Sequence, residues 1–299
     1  MLTWIYFVFI AQGIWSITSI IDKIVISKGY IKNPLVYIVL NGLMNLFLIF
    51  LLPFVGFEPL RLIDLFILLF SGITFSVAIT IYYKAVQYDE ISRIAVLYQL
   101  GPVFVFILSF LFLGDVLTKN HFVGFLFLLG AGVIVSYKKS GKKFKISKAF
   151  FLMLVSMIIS SISFVTAKHI FNVTSFWSAF LWLRLSGFTA SFVLLLPSIR
   201  NQFIETFKVM NTKIRNLLGF KMLIDFSAFI FAGYALQNAQ APLVSALASS
   251  VLPLCVFVLA LITTIYFPKI VREDIDNKAV LTKLLAIIFI IIGIVFVNL

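Results

Sequence analysis

The sequence is poor in charge, histidine and cysteine. Of its 299 residues, 12% are charged, two are histidine and one, Cys255, is cysteine. A soluble domain carries about 25% charged residues, so this chain has too few to cover a water-facing surface. A single cysteine excludes an internal disulfide, and His, Cys, Asp and Glu form no cluster with metal-ligand spacing. The sequence therefore excludes a disulfide scaffold and a soluble nucleotide-binding enzyme, and we expect no metal and no cofactor.

The chain instead contains long apolar runs, because 62% of its residues are hydrophobic and 16% are aromatic. A helix needs about 20 residues to cross roughly 30 Å of hydrocarbon. Runs of about this length cover roughly 2–27, 34–55, 62–86, 91–114, 120–137, 148–170, 175–197, 212–236, 240–267 and 279–298. They lack the polar alternation of barrel strands. We therefore predict an all-α integral membrane protein with ten transmembrane helices.

The second half of the sequence repeats the first at a shift of 151 residues. Tyr83 then coincides with Tyr234 and Pro102 with Pro253, and 19 residues separate tyrosine from proline in both halves. An odd number of helices in each unit turns the second unit upside down in the bilayer. The pattern predicts two inverted five-helix repeats, residues 1–140 and 141–299, with a site near the midplane where they meet.

The net charge of +13 is concentrated between the apolar runs. This placement favours loop charge facing anionic lipid headgroups over nucleic-acid binding. The connections are numbered one to nine in the order in which they join successive apolar runs. Of the 24 Lys and Arg residues, 20 lie in or beside the odd-numbered connections, and this number includes Lys221. The count therefore predicts that these connections lie in the cytoplasm and both termini outside. We expect the protein to be a multi-pass protein of the cell membrane.

Two ionisable residues lie inside predicted spans, where charge is costly and usually functional. Arg184 could hold a substrate carboxylate or phosphate through two hydrogen bonds, or join helices structurally. Asp225 could couple transport to protons, or could pair with Arg184, which would lower the cost of burying both. Asp22, Lys23, Lys168 and His169 lie at the ends of repeat-related segments, where we expect interfacial side chains with their charges near water.

Polar residues at helical spacing indicate surfaces that face a cavity. Trp15 lies on such a stripe of the first segment and Asn41 on one of the second. Polar pairs also precede both repeat-related prolines, and proline frees a backbone carbonyl one turn earlier in a helix. Freed carbonyls persist in a membrane only against protein or a wet cavity. These pairs, Tyr98-Gln99 before Pro102 and Ser249-Ser250 before Pro253, therefore indicate either a binding site with proline hinges or a packing kink.

The order and spacing of these features resemble the ten-helix EamA-type members of the drug/metabolite transporter superfamily. Residues 82–88, 95–102 and 113–115 resemble that family's aromatic–Ala, helix–Pro and Leu-Gly-acid run, and residues 234–253 resemble its second copy. Arg184 matches the family's Leu-Arg in the second helix of a unit. The first unit departs from the family's pattern, because Leu40-Asn41 stands in place of Leu-Arg. The second unit departs after its fourth helix, where Tyr266-Phe267-Pro268 replaces Leu-Gly-acid.

The resemblance implies a transporter of small metabolites, often an exporter of amino acids or related solutes. It also implies a central cavity lined by the first, third, fourth, sixth, eighth and ninth helices. Members of the family generally have cytoplasmic termini, which opposes the Lys and Arg count. The two indications of orientation therefore disagree.

We expect a secondary active transporter, with no enzyme activity, that works by alternating access as a monomer or homodimer. No GxxxxGK[ST] loop occurs, so the energy must come from a gradient, with protons as a candidate coupling ion, or from exchange. The expected lining residues are Tyr98, Gln99, Ser249 and Ser250, surrounded by Trp15, Asn41, Tyr83 and Tyr234.

Two alternatives remain open. One is a lipid flippase on the same fold, which would need a lateral opening. The other is a lipid-modifying membrane enzyme that works at headgroup level. Its candidate groups are Asp22/Lys23, Lys168/His169 and Asp89/Glu90/Arg93.

Overall fold

The computed structural model describes residues 3–27, 29–31, 33–86, 88, 94, 97–136, 148–266 and 277–299, and these residues contain helices and no strand. The α-helices are α1 (Thr3–Ser27), α2 (Pro34–Met44), α3 (Leu62–Val86), α4 (Leu100–Leu113), α5 (Lys119–Ser136), α6 (Lys148–Val173), α7 (Phe176–Gly187), α8 (Pro197–Val209), α9 (Thr212–Asn238), α10 (Ala241–Tyr266) and α11 (Asn277–Asn298). Two 3₁₀ helices, Asn45–Leu51 and Phe188–Leu195, extend α2 and α7.

Seven helical stretches of the described chain are long and apolar enough to cross a membrane. They are Thr3–Asp22, Leu62–Tyr82, Lys148–Val173, Phe176–Leu195, Thr212–Asn238, Ala241–Leu259 and Leu281–Asn298. Shorter apolar helices cover Leu35–Phe47, Leu100–Leu113 and Lys119–Ile134. The prediction of an all-helical, multi-pass membrane protein is therefore confirmed, while the count of ten spans stays a prediction.

The bundle has two ends that matter for the site. At end A, α1 finishes and α9 begins; at end B, α3 begins and α6 finishes. An apolar cluster closes end A around Ile21, Val25, Ile31, Val36, Tyr37, Leu40, Met210 and Leu218. We call this cluster the end-A plug.

Helix α8 is a feature that the sequence analysis missed, because its residues were assigned to a connection. It begins at Pro197, whose fixed φ suits the first turn of a helix. Phe203 and Phe207 lie one turn apart, with their ring centroids 4.7 Å apart, and pack against the end-A plug. The helix is amphipathic rather than apolar all round, so a search for long apolar runs cannot find it.

The two repeat-related prolines occupy different backbone positions. Pro102 lies in the first turn of α4, directly after a turn at Gln99 that separates it from helical residues 97–98. Pro253 lies inside α10, which runs without a break from Ala241 to Tyr266. Proline in the first turn loses no helical hydrogen bond, whereas an internal proline removes one.

Glycine allows α5 and α11 to approach closely. A Cβ atom added at Gly124 would lie 2.8 Å from the Gly293 carbonyl oxygen and 2.6 Å from a Val297 methyl group. A Cβ at Gly293 would likewise lie 3.1 Å from the Gly124 carbonyl oxygen. Small residues at such a crossing are typical of membrane helices, because close packing replaces the hydrophobic effect there.

We predict that Gly124→Ala destabilises the protein by about 1–3 kcal/mol, because the added methyl group overpacks the α5–α11 contact. The measurement is the apparent melting temperature of the purified protein in detergent. Gly219→Ala in α9 is the matched control, since a Cβ there meets nothing within 4 Å and alanine favours a helix. Equal melting temperatures for the two variants would contradict this account of the contact.

Candidate functional site

Three of the predicted site residues lie near the middle of their helical spans. Trp15 is the central residue of α1, and Asp225 is the central residue of α9. Arg184 is the ninth residue of the helical stretch 176–195. Because all three elements have spanning length, their side chains lie at the middle depth of the bundle.

Phe229 brings two of these residues together. The Arg184 guanidinium carbon lies 3.7 Å from the centre of the Phe229 ring, in cation–π geometry. The Trp15 ring meets the same phenyl ring edge-on, with centroids 5.1 Å apart. Phe229 lies one turn beyond Asp225, so this spacing along α9 was the signal that could have identified it.

Asp225 pairs with Lys221 rather than with Arg184. The Lys221 ammonium lies 2.8 Å from the Asp225 carboxylate and 3.4 Å from the Asp22 carboxylate. The possible Arg184–Asp225 ion pair is therefore wrong for this structure. Counting Lys221 as a connection charge was also wrong, because only 6% of its side chain is exposed.

Neighbouring polar groups on α2 complete the surroundings of Lys221. Its ammonium lies 3.5 Å from the Asn41 side-chain oxygen and 5.1 Å from the centre of the Tyr37 ring, and the Tyr37 hydroxyl donates to Asp22. A buried ammonium is tolerated only where oxygens replace its lost hydration. We call this group, Asp22, Tyr37, Asn41, Lys221 and Asp225, the lysine network.

A second polar group lies at end B. The buried Asp64 carboxylate, with 3% of its side chain exposed, accepts a 2.8 Å hydrogen bond from Arg61 Nε. Its other oxygen lies 2.8 Å from His169 Nε2. We call Arg61, Asp64 and His169 the histidine network. Hydrogen bonding to Asp64 raises the pKa of the Arg61 guanidinium above its usual range.

Lys168 has a different role from its neighbour His169. Its buried ammonium donates to the carbonyl oxygens of Leu236 and Gln237, at 2.8 and 3.0 Å. Cations stabilise the carbonyl end of a helix, so Lys168 caps the last turn of α9. The expectation of an interfacial Lys168 is wrong. The Lys23 side chain lies outside the described residues.

A cavity of about 410 Å³ borders the histidine network at end B. Its lining residues are Glu58, Pro59, Leu60, Arg61, Asp64, Val173 and Thr174. Thr174 Oγ1 and the Ser175 backbone N–H donate to the Glu58 carboxylate at 2.7 and 3.4 Å. These hydrogen bonds lower the pKa of Glu58, so the cavity carries an ionised acid at neutral pH.

The proline-flanked pairs meet where α4 packs against α10. Gln99 Nε2 donates to the Ser249 carbonyl oxygen at 3.4 Å, and the Gln99 side chain lies against Gly132 of α5. The Ser249 and Ser250 hydroxyls donate to carbonyl oxygens of their own helix, and Ser250 is fully buried. These three side chains therefore have packing partners within the protein.

The predicted tyrosines are scattered. Tyr98 is 48% exposed and meets the Tyr82 ring edge-on. Tyr234 stacks on Phe176 with centroids 3.7 Å apart, within the apolar core. The Tyr83 side chain lies outside the described residues. The predicted lining residues thus fall into a charged group around α9 and a polar group between α4 and α10.

Among the described residues, the candidate groups for an enzyme do not assemble into one site. Asp22 belongs to the lysine network, Lys168 and His169 contact different elements, and Asp89, Glu90 and Arg93 lie outside the described residues. Within the described residues, no set of three or more His, Cys, Asp and Glu side chains could hold a metal ion.

A helical bundle whose described helices are long and apolar enough to cross a membrane is that of a polytopic membrane protein. The family model of the EamA-like transporter family matches residues 2–137. The first half of the chain therefore belongs to this family, which is part of the drug/metabolite transporter superfamily, and the resemblance inferred from the sequence is confirmed. Members of the family are transporters rather than enzymes.

The fold is also that of a solved structure. A chain titled "Crystal structure of protein" superposes with a TM-score of 0.66 over 97% of this chain and 98% of its own length. The two sequences are 15% identical, so this likeness supports the fold alone. A search of curated protein sequences found no match.

We predict that Lys221→Met lowers stability by up to about 3 kcal/mol, because it leaves the partly buried Asp22 and Asp225 carboxylates without their cation. The triple variant Asp22→Asn, Asp225→Asn, Lys221→Met recovers much of this loss, since it removes the charges together. The measurement is the apparent melting temperature in detergent. Additive losses from the three changes would contradict the ionic network.

Proposed function

We propose that the protein is a secondary active transporter that exports small metabolites such as amino acids across the cell membrane. It would work by alternating access around a midplane site between two inverted five-helix repeats, residues 1–140 and 141–299, that span the membrane ten times. The family match supports the transporter class, and the position of Arg184 and Asp225 at middle depth supports the site.

Helix contacts support the repeat. If α1 to α5 correspond to α6, α7, α9, α10 and α11, the packing of α1 on α9 and α10 corresponds to the packing of α6 on α3 and α4. The repeat exchanges α5 with α11, so the contact between these two helices is its own equivalent. The second helix of each half also continues as a 3₁₀ helix, after Met44 and after Gly187. Such equivalences are expected when one unit occurs twice.

Arg184 carries the proposal for solute binding. Its guanidinium rests on a neutral ring at the middle of the bundle, and the structure gives it no hydrogen bond from the described residues. Its N–H groups are therefore available to a carboxylate or phosphate, which a guanidinium binds in bidentate fashion. Trp15 contacts the same Phe229 ring, Asn41 contacts Lys221 nearer end A, and Asp225 is the candidate residue for proton coupling.

We predict that Arg184→Gln lowers the initial rate of solute transport in proteoliposomes at least about tenfold, because a charge-assisted hydrogen bond contributes about 1.5–3 kcal/mol. Arg184→Lys keeps the charge but loses the bidentate geometry, so an intermediate rate is expected. The assay screens amino acids and related anions, with and without a pH gradient.

The control for this experiment is Arg200→Gln on α8, which removes an exposed arginine away from the site. Equal rates for Arg184→Gln and Arg200→Gln would overturn the anchor. If labelled lipids change leaflet while no small solute moves, the flippase alternative replaces the proposed function.

The polar group between α4 and α10 is a second part of the proposed lining, with Tyr98, Gln99, Ser249 and Ser250 as its residues. We predict that Gln99→Ala and Ser249→Ala raise the KM for the transported solute several-fold. Ser109→Ala is the matched control, because Ser109 is a buried α4 serine that also bonds its own helix. If all three variants keep the original KM, this group serves packing alone.

A further inference from the structure

The lysine and histidine networks lie on opposite sides of the midplane position of Arg184. Asp22 lies seven residues beyond Trp15 on α1, and Lys221 lies four residues before Asp225 on α9, so both are displaced towards end A. Asp64 is the third residue of α3, and His169 lies near the end of α6, at end B. At 1.5 Å per residue, Asp22 and Lys221 lie about 6–11 Å from middle depth, where the Asp225 end of the lysine network lies, and Asp64 and His169 lie about 13–15 Å from it.

Each network joins the two halves of the chain. In the lysine network, Asp22 belongs to the first half and Lys221 to the second. In the histidine network, Asp64 belongs to the first half and His169 to the second. The helices joined are α1 with α9 and α3 with α6, and these two pairs are exchanged by the proposed repeat.

The two ends differ in what lies beyond the network. At end A, the plug places apolar side chains next to the lysine network, in which 6% of the Lys221 side chain and 32% of the Asp22 side chain are exposed. At end B, the histidine network borders the cavity of about 410 Å³. Apolar packing therefore adjoins the network at end A, and an open space adjoins it at end B.

We propose that the two networks are the two gates of the transport cycle, an inference that rests on the proposed transport function. The lysine network closes end A in the conformation observed here, and the histidine network holds α3 against α6 at end B. Opening an end separates one pair of helices, and entering water then hydrates the released charges. In alternating access, the two ends are not open at the same time. Loss of the lysine network therefore favours the state that is open at end A, and loss of the histidine network favours the state that is open at end B.

The test measures access to the middle of the bundle from each side of the membrane. Cys255→Ser removes the native thiol, and Ser19→Cys places a reporter on α1 one turn from Trp15 towards end A. A membrane-impermeant maleimide is added to right-side-out vesicles and separately to inverted vesicles. The readout is the labelling rate, which needs no identified solute.

Lys221→Met is expected to raise labelling from one side about tenfold and to lower it from the other. His169→Leu is expected to change labelling in the reverse sense, while His169→Gln, which retains a hydrogen-bond donor, has a smaller effect. The charge-swapped variant Asp22→Lys, Lys221→Asp keeps two acids and one cation and should return labelling towards the original rates. If Lys221→Met fails to fold, Asp22→Asn replaces it, because Lys221 then keeps Asp225 as a partner.

The proposal of two gates would be overturned if a network variant changed the labelling rate in the same sense from both sides of the membrane. It would also be overturned if the Lys221 and His169 variants both kept the original labelling rates. A failure of the transport function is distinguished from this result, since it appears as absence of solute movement in the original protein. If labelling shifts in opposite senses but no solute moves, the two gates are supported, and the transported substrate lies outside the amino acids and related anions assayed.

Discussion

A charge inside a membrane protein has to be matched by groups from neighbouring helices, and the buried Lys221 ammonium shows how far this constraint reaches. Only 6% of the Lys221 side chain is exposed, and oxygens on α1, α2 and α9 surround its ammonium. The requirement ties the first half of the chain to the second. Changes in the separation of these helices must therefore expose or re-pair the same charges.

Arg184 meets the same constraint differently, because a phenyl ring rather than a carboxylate lies against its guanidinium. A cation–π contact stabilises the charge while leaving planar N–H donors for another partner. Lys221 is fully engaged by protein oxygens, so the two central cations suit different tasks. The contrast supports Arg184 as the proposed anion-binding residue and Lys221 as a residue that holds helices together.

The spans could be predicted because their signal is local. A continuous apolar run predicts a membrane helix without knowledge of its partners, and the predicted 62–86 coincides with α3. The amphipathic α8 was missed for the complementary reason, since only its packing against the end-A plug makes Phe203 and Phe207 informative. Lys221 was misassigned because a count of charges along the chain does not indicate which of them turn inward.

The sequence by itself determined the membrane class, most helix positions, the resemblance to the EamA-like transporter family and the central place of Trp15, Arg184 and Asp225 in their helices. Each of these depends on local composition or on spacing within one segment. Only the tertiary structure decided that Lys221 also meets Asp22, that Arg184 rests on Phe229 and that His169 meets Asp64. The physical reason is that these contacts depend on distances between helices, which cannot be read from the spacing of residues within one helix.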